Sequence, residues 1–397
     1  MSKLVNTTYR KKNSFESTRL IKRRSDIKTQ LRRALDALDN IDIRNIESHF
    51  SNFNEILRKV KKSLNIQLKV KDSNLLGAAA EFQITELVAE ELALIPNESL
   101  TLYLYHRYRY EIFPQSQIID DYPPYVQIEP SSICNYRCKF CFQTDETFSN
   151  YKSTHMGTMN FETYKKIVDL LQGKTEFLSL ASRGEPFICK DLPKMLNYSA
   201  NKFLNLKVNT NASLLDEKRI HALLSGGART IVFSIDAATK ELYELLRVNG
   251  RIENIEKKLK LFSKIRDRDY KDSSNIVRVS GVYLDDKQNM NSMENQWGEY
   301  VDQITFVKYN SWENVYESPL SEVDNHCSDL WRRLFIWFDG KLNPCDTDYK
   351  STLLIGNINE FGNLSEIWKS REYEKYRNLH INKKRDSLSP CNKCSVI

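Results

Sequence analysis

The chain has 397 residues, of which 41% are hydrophobic and 28% charged, and a formal net charge of +7. That length suits two or three domains, and that balance fits an ordinary soluble globular protein. No apolar run approaches the roughly 18 residues a bilayer span requires. The polar, basic N-terminus lacks the apolar core of a secretory signal, so a cytoplasmic location without a membrane partner is expected. Eight cysteines are too few to staple a chain this long with disulfides, and a cytosol keeps them reduced.

Residues 1–115 are expected to form a helical N-terminal domain. Leu31, Leu35 and Leu38, then Phe50, Phe53, Ile56, Leu57 and Val60, recur at helical spacing. Residues 75–94 read as a further helix, ended by Pro96. The first 40 residues carry eleven Lys and Arg against four acids and so hold the whole charge excess. Such a front end is either a solvated helix face or a contact for an anionic partner. Tyr103, Tyr105, Tyr108 and Tyr110 pack on the next domain or form a stacking platform. Pro114, then Pro123 and Pro124, mark the boundary.

From residue 125 short apolar strands alternate with helices. The strands are predicted at 125–129, 177–180, 206–209, 230–234, 277–284 and 304–307. The helices are predicted at 161–171, 192–201, 217–224, 240–246, 252–265 and 293–300. Six βα units argue for an α/β fold: a parallel sheet with helices outside, closed as a full or partial barrel or left open. Either form binds ligands at the C-terminal ends of its strands. The end of the first strand carries Cys134, Cys138 and Cys141, three thiols in eight residues. This is the spacing of a cluster-binding loop, and three ligands to a four-iron cluster leave one iron open.

Residues 311–326 read as a linker. Residues 327–397 are short, bear Cys327, Cys345, Cys391 and Cys394, and are too few for a large core without a metal. A hairpin pair followed by CxxC also suits zinc, so iron–sulfur and zinc both stand for this site. Cys189 is read as a small buried hydrophobe. The six histidines, His49, His106, His155, His221, His326 and His380, form no HExxH-like pair and are read as surface or capping residues. Glu185 and Asp236 at strand ends, with Lys308 and Tyr309 after the sixth strand, are candidates to meet substrate. None is assigned as general base.

Cys134-x3-Cys138-x2-Cys141 with Phe140 resembles the cluster loop of the radical S-adenosylmethionine (SAM) superfamily. Further motifs follow in order. Gly184-Glu185-Pro186 looks like the segment that receives the SAM amino group, and Asn209-Thr210-Asn211 ends the third strand where relatives have Asn-Gly. Ser234, Asp236, Arg247 and Gly250 stand where relatives hold the SAM carboxylate and ribose. Ser182-Arg183 departs from the glycines common there, and implies a charged side chain near substrate. The resemblance implies a partial (β/α)6 TIM-like barrel over 122–310.

The C-terminal stretch resembles the twitch domain, a shortened SPASM domain, through Cys327, Gly340, Cys345, Gly356-Asn357-Ile358, Leu364 to Trp368, and Cys391-x2-Cys394. It implies a small α+β domain at 327–397 with one auxiliary [4Fe–4S] cluster on four cysteines, read as an electron conduit. The implied cofactors are SAM and two [4Fe–4S] clusters, with flavodoxin or ferredoxin as electron donor.

Three functions compete. One is hydrogen abstraction from a small polar metabolite of sugar, cyclitol or nucleotide type, with net oxidation. The second is maturation of a ribosomally made peptide or protein side chain by crosslink, epimerisation or aldehyde formation, the N-terminal helices recognising the substrate or a partner. The third, a zinc- and nucleic-acid-binding protein, leaves the SAM-like motifs unexplained, so nucleic acid is not the expected partner.

Overall fold

Strands covered by helices on both faces of a sheet are apolar almost throughout, and six such strands organise this chain. The computed structural model describes residues 5–6, 15–40, 50–70, 80–284, 286–309 and 313–397. Two strands come first, β1 (Val5–Asn6) and β2 (Phe15–Leu20). Among the described residues four helices follow: α1 (Ile27–Asp39), α2 (Phe53–Lys69), α3 (Glu86–Leu92) and α4 (Leu100–Ser116). The alternating region contains β3 (Tyr125–Ile128), β4 (Arg137–Cys138), α5 (Phe161–Leu171), β5 (Phe177–Leu180), α6 (Leu192–Ser199), β6 (Asn205–Thr210) and α7 (Glu217–Ser225). It continues with β7 (Ala228–Ser234), α8 (Lys240–Leu246), β8 (Arg247–Val248), α9 (Ile252–Asp269), β9 (Ile276–Tyr283), α10 (Met290–Trp297) and β10 (Gln303–Lys308).

Strands β3, β5, β6, β7, β9 and β10 are neighbours in that order and all parallel. Side-chain caps set where the outer helices begin: Asn160 accepts from Thr163 N at 2.8 Å, and Asp216 from Arg219 N at 2.8 Å. Helix α5 then turns Tyr164, Ile167, Val168 and Leu171 onto the sheet. Three more strands, β12 (Arg333–Ile336), β13 (Lys341–Asn343) and β14 (Gly356–Asn357), extend the β3 edge, with β12 parallel to β3. At the other edge β2 pairs antiparallel with β10. The outermost strands β14 and β2 are not paired with each other, so the barrel is partial.

Several expectations need correction. Residues 15–20 are not part of a helical unit but an edge strand of the barrel sheet. The stretch 311–326 is not a bare linker: Leu320–Ser321 (β11) pairs with β1, and Val315 is buried against Phe142, Phe148 and Tyr349. His106 and His380 are fully buried rather than superficial. The first five residues of the helix expected at 75–94, and His49, lie outside the described residues. Part of the basic front end is taken up within the chain, since Arg24 pairs with Asp302, Arg19 with Glu294 and Arg23 with Glu86.

The N-terminal helices form their own apolar cluster beneath the strands' N-terminal ends. Tyr103 meets the ring of Phe177, the first residue of β5, at 5.6 Å. Asn205, the first residue of β6, donates to Glu91 at 3.3 Å, and Arg229 of β7 donates to Leu94 O at 2.6 Å. The helices therefore close the floor of the barrel, opposite the strand ends that carry the cysteine loop. Among the described residues no helix is long and apolar enough to cross a membrane.

Candidate active site

The cysteine loop is held from two sides. On one side Arg137 and Cys138 pair antiparallel with Val248 and Arg247. On the other the loop backbone lies against Gly184, where a Cβ would stand 2.4 Å from Ile133 O and 2.5 Å from Ser132 C. Only glycine permits that approach. Glu185 N then donates to Ile133 O at 2.9 Å. Tyr136 N points at Cys134 Sγ at 3.5 Å, and Arg247 Nη1 lies 3.9 Å from Cys138 Sγ.

Burial raises all three thiols, Cys134 to about 12, and the neighbouring cysteines push Cys134 and Cys141 further in the same direction. Each thiolate therefore sits within electrostatic reach of the others, and a metal cluster is what holds such a set deprotonated. The donor set fits a three-thiolate cluster.

The strand-end residues divide into braces and open groups. Glu185 is a brace: Oε1 accepts from Thr210 Oγ1 at 2.7 Å and Oε2 from Asn211 N at 2.7 Å, with Pro186 opening the short turn behind it. Asn211 Nδ2 reaches Asn135 in the cysteine loop at 3.0 Å. Asp236 is also a brace, ion-paired with Arg247 at 2.5 Å and accepting from Val282 N at 2.7 Å. Phe140 is buried beneath the Arg247 guanidinium, 5.8 Å from its ring centroid. By contrast Asn209 Oδ1 is a buried acceptor with no donor among the described residues, and Ser234 lines the same cavity. Open polar groups of this kind suit the amino, carboxylate and ribose groups of SAM.

Arg183 lines the cavity described below, and its guanidinium is already engaged within the protein. It is fully buried in a bidentate pair with Glu129 at 2.6 and 2.5 Å, donates to Tyr349 O at 2.8 Å, and lies 4.2 Å from the Trp337 ring centroid. It joins the barrel to the C-terminal region. Ser182 before it has φ +151°, a backbone region that favours glycine.

One cavity of about 490 Å³ connects these parts. Its walls include Cys134, Cys138, Cys141, Asn209, Ser234 and Arg247 near the strand ends, and Lys207, Arg278, Arg333 and Tyr110 toward the floor. Lys308 and Tyr309 line it too, and Tyr309 Oη donates to Glu313. So does Asp346, next to Cys345. Sequence reasoning missed the three cations. Their signal was the alternation of Asn205, Lys207 and Asn209 with apolar Leu206 and Val208 along β6, polar side inward.

The four C-terminal cysteines converge. The Cys391 thiol is pushed well up by burial and by Cys345, Cys394 and Cys327. Thr347 N approaches Cys345 Sγ at 3.3 Å and Val396 N approaches Cys394 Sγ at 3.4 Å, backbone dipoles that favour thiolate charge. Arg385 pins the carbonyls of Cys391, Cys394 and Val396, and His380 Nδ1 accepts from Cys327 N at 3.2 Å. Among the described residues no three His, Cys, Asp or Glu side chains are grouped to hold a single metal ion. Cys189, buried and donating to Met159 O at 3.5 Å, belongs to neither site.

Residues 128–294 match the radical SAM superfamily, and residues 327–395 match SPASM, an iron–sulfur cluster-binding domain. The Fe-coproporphyrin III synthase of Methanosarcina barkeri (strain Fusaro / DSM 804) is 30% identical over 122 residues, 30% of this chain and 29% of that protein. The antilisterial bacteriocin subtilosin biosynthesis protein AlbA of Bacillus subtilis (strain 168) is 25% identical over 126 residues, 32% of this chain and 27% of that one. This chain thus spans less than a third of those two relatives. The structure of Streptococcus suis SuiB bound to S-adenosylmethionine superposes with a TM-score of 0.51 at 16% identity, covering 85% of this chain and 88% of that one, a likeness of fold.

Proposed function

We propose that this chain is a radical SAM superfamily enzyme with a C-terminal SPASM-type iron–sulfur domain, and that it abstracts hydrogen from a small polar metabolite of sugar, cyclitol or nucleotide type in a net oxidation. When bound, the clusters and SAM supply the one-electron chemistry and the 5′-deoxyadenosyl radical; the protein supplies orientation and exclusion of water. The cavity at the strand ends carries this reading. It begins at the three-cysteine loop, is closed below by α3 and α4, and has Asp346 beside Cys345 on its wall. A substrate seated there lies between the two cysteine sites, as a radical reaction followed by electron removal requires.

The chain's residues take distinct parts. Gly184 and Glu185 shape the cysteine loop, while Asn209, Ser234 and Arg247 offer polar contacts to SAM, and Asp236 orients Arg247. The sealed floor favours a small molecule over a peptide, because the N-terminal helices stand away from the cysteine loop. An electron donor such as flavodoxin or ferredoxin completes the scheme.

The test is anaerobic reconstitution to about eight irons per chain, followed by a search for deuterium transfer from labelled compounds into 5′-deoxyadenosine. Transfer from a phosphorylated or hydroxylated metabolite supports the assignment. Transfer only from a peptide replaces it with the maturase reading, and SAM turnover that never occurs removes both.

A further inference from the structure

The lower half of the cavity holds more positive charge than the protein neutralises. Lys207 lies mid-strand on β6, and its register neighbours are Ser179 on β5 and Thr230 on β7, neither charged. Its side chain lines the cavity, and among the described residues it has no hydrogen-bond or ion-pair partner. Arg278 of β9 is buried and directs Nε and Nη2 to the neutral Oε1 of Gln303 at 2.9 and 2.7 Å. Its guanidinium sits 5.1 Å from the Phe15 ring centroid, and no described carboxylate forms an ion pair with it.

The third cation, Arg333, is better served: Tyr110 Oη accepts at 3.0 Å, and Asp329 Oδ1 lies 3.7 Å from Nε. Glu91, the nearby carboxylate, is already engaged by Arg107, Asn205 and Tyr103. Among the described residues Lys207 and Arg278 have no ion-pair partner, and the one carboxylate charge that reaches both, Glu91, is shared with Arg107. Their mutual repulsion is felt, since burial together with the charges of Arg333 and Arg278 holds Lys207 down at about 8. Burying cations this way is costly unless an anion joins them.

We propose that the substrate carries a compact dianion, a phosphate ester or a dicarboxylate, which Lys207 and Arg278 hold deep in the barrel with Arg333 below them at the floor. The inference rests on the cavity being the substrate site and adds the chemical class that site accepts. Lys207 stands three residues before Thr210, roughly 10 Å down the strand from the strand end. A substrate anchored there by its anion reaches back toward the cysteine loop with its uncharged end. That spacing suits a phosphorylated sugar or a molecule of similar length. It also sets specificity, because a neutral analogue leaves both cations unpaired.

Calorimetric titration of the anaerobically reconstituted enzyme with inorganic phosphate tests this. The wild type is expected to bind one phosphate per chain, Lys207→Met and Arg278→Gln to weaken it at least tenfold, and Lys207→Arg to retain it. Competition by malonate assigns a dicarboxylate; its failure to compete assigns a phosphate ester. If Lys207→Met does not fold, protection of Lys207 from acetic anhydride by phosphate in the wild type, read by peptide mass, serves instead. Phosphate binding that is absent, or unmoved by the substitutions, overturns the proposal, as does unprotected Lys207. Phosphate binding is read without SAM. An enzyme that cleaves SAM but binds no phosphate therefore loses only the anion site, and one that binds phosphate but never cleaves SAM loses the radical reading.

Discussion

Phe142 and Tyr349 stack with ring centroids 4.8 Å apart and planes within 18° of parallel. Phe142 directly follows Cys141, and Tyr349 follows Cys345 by four residues, so the stack spans the two cysteine-bearing segments. Both rings pack in one cluster with Cys394 and Val396, and Phe148 meets Tyr349 edge-on at 5.2 Å. Tyr349 Oη donates to Asp145 at 2.8 Å, and Lys350 pairs with the same carboxylate at 2.6 Å. A dry aromatic wall therefore stands between the sites.

Removing either ring opens that wall. Tyr349→Ala is expected to cost about 3–5 kcal/mol, from lost burial and the cavity left behind. Tyr349→Phe is expected to cost less, about 1.5–3 kcal/mol, since it removes only the hydroxyl that donates to the Asp145 carboxylate. Urea unfolding of the as-isolated protein measures both. Equal losses from the two would show that the hydroxyl, not the ring, holds the segments together.

Gly184→Ala places a methyl against backbone that cannot step aside, 2.4 Å from Ile133 O. The first cysteine loop is expected to lose its cluster while the four C-terminal cysteines keep theirs. Iron should fall from about eight to about four per chain, and SAM cleavage should vanish. Full iron content in the variant would mean the loop does not depend on this contact.

How much of this was legible in sequence follows from burial. Strands such as Phe177–Leu180 are covered on both faces, so their apolar runs announce themselves. Residues Phe15–Leu20 form an edge strand, largely exposed, and its partner β10 lies more than 280 residues away; nothing local marks it. The cysteine loop was readable because ligand spacing is a local property. The engagement of Arg183 was not legible because its partner Glu129 and its stacking ring Trp337 directly follow strands brought together only by the sheet. Lys207 was overlooked for a related reason: inward-facing polar residues invert the usual alternation.

Asp302 shows how far the N-terminal region belongs to the barrel. Its buried carboxylate accepts from Arg24 at 2.9 Å, Arg266 at 2.9 Å and Val277 N at 2.9 Å, and the two arginines hold its pKa down. Asp302→Asn leaves two guanidinium groups without their anion and is expected to cost about 3–5 kcal/mol. Arg24→Met, which leaves Arg266 in place, should cost less. Unfolding midpoints of the two variants rank them, and the reverse order would place the weight on Arg24 alone.

Glu176 makes the opposite prediction, a gain on substitution. Its buried carboxyl accepts from Leu204 N at 2.9 Å, and burial raises it from 4.5 to about 7. Between those values the unfolded chain has released the proton that the folded chain keeps. Stability from this group therefore falls as pH climbs from 4.5 to 7, and stays at its lower level above 7. At about 1.4 kcal/mol per pKa unit, the deficit at pH 8 is roughly 3 kcal/mol. Glu176→Gln keeps an acceptor for Leu204 N and carries no charge. It should be more stable than the wild type by about 2–3 kcal/mol at pH 8, with the difference vanishing near pH 4.5. Urea unfolding at both pH values decides: a variant no better than wild type at pH 8 would show that the ionised carboxylate is already compensated where it sits.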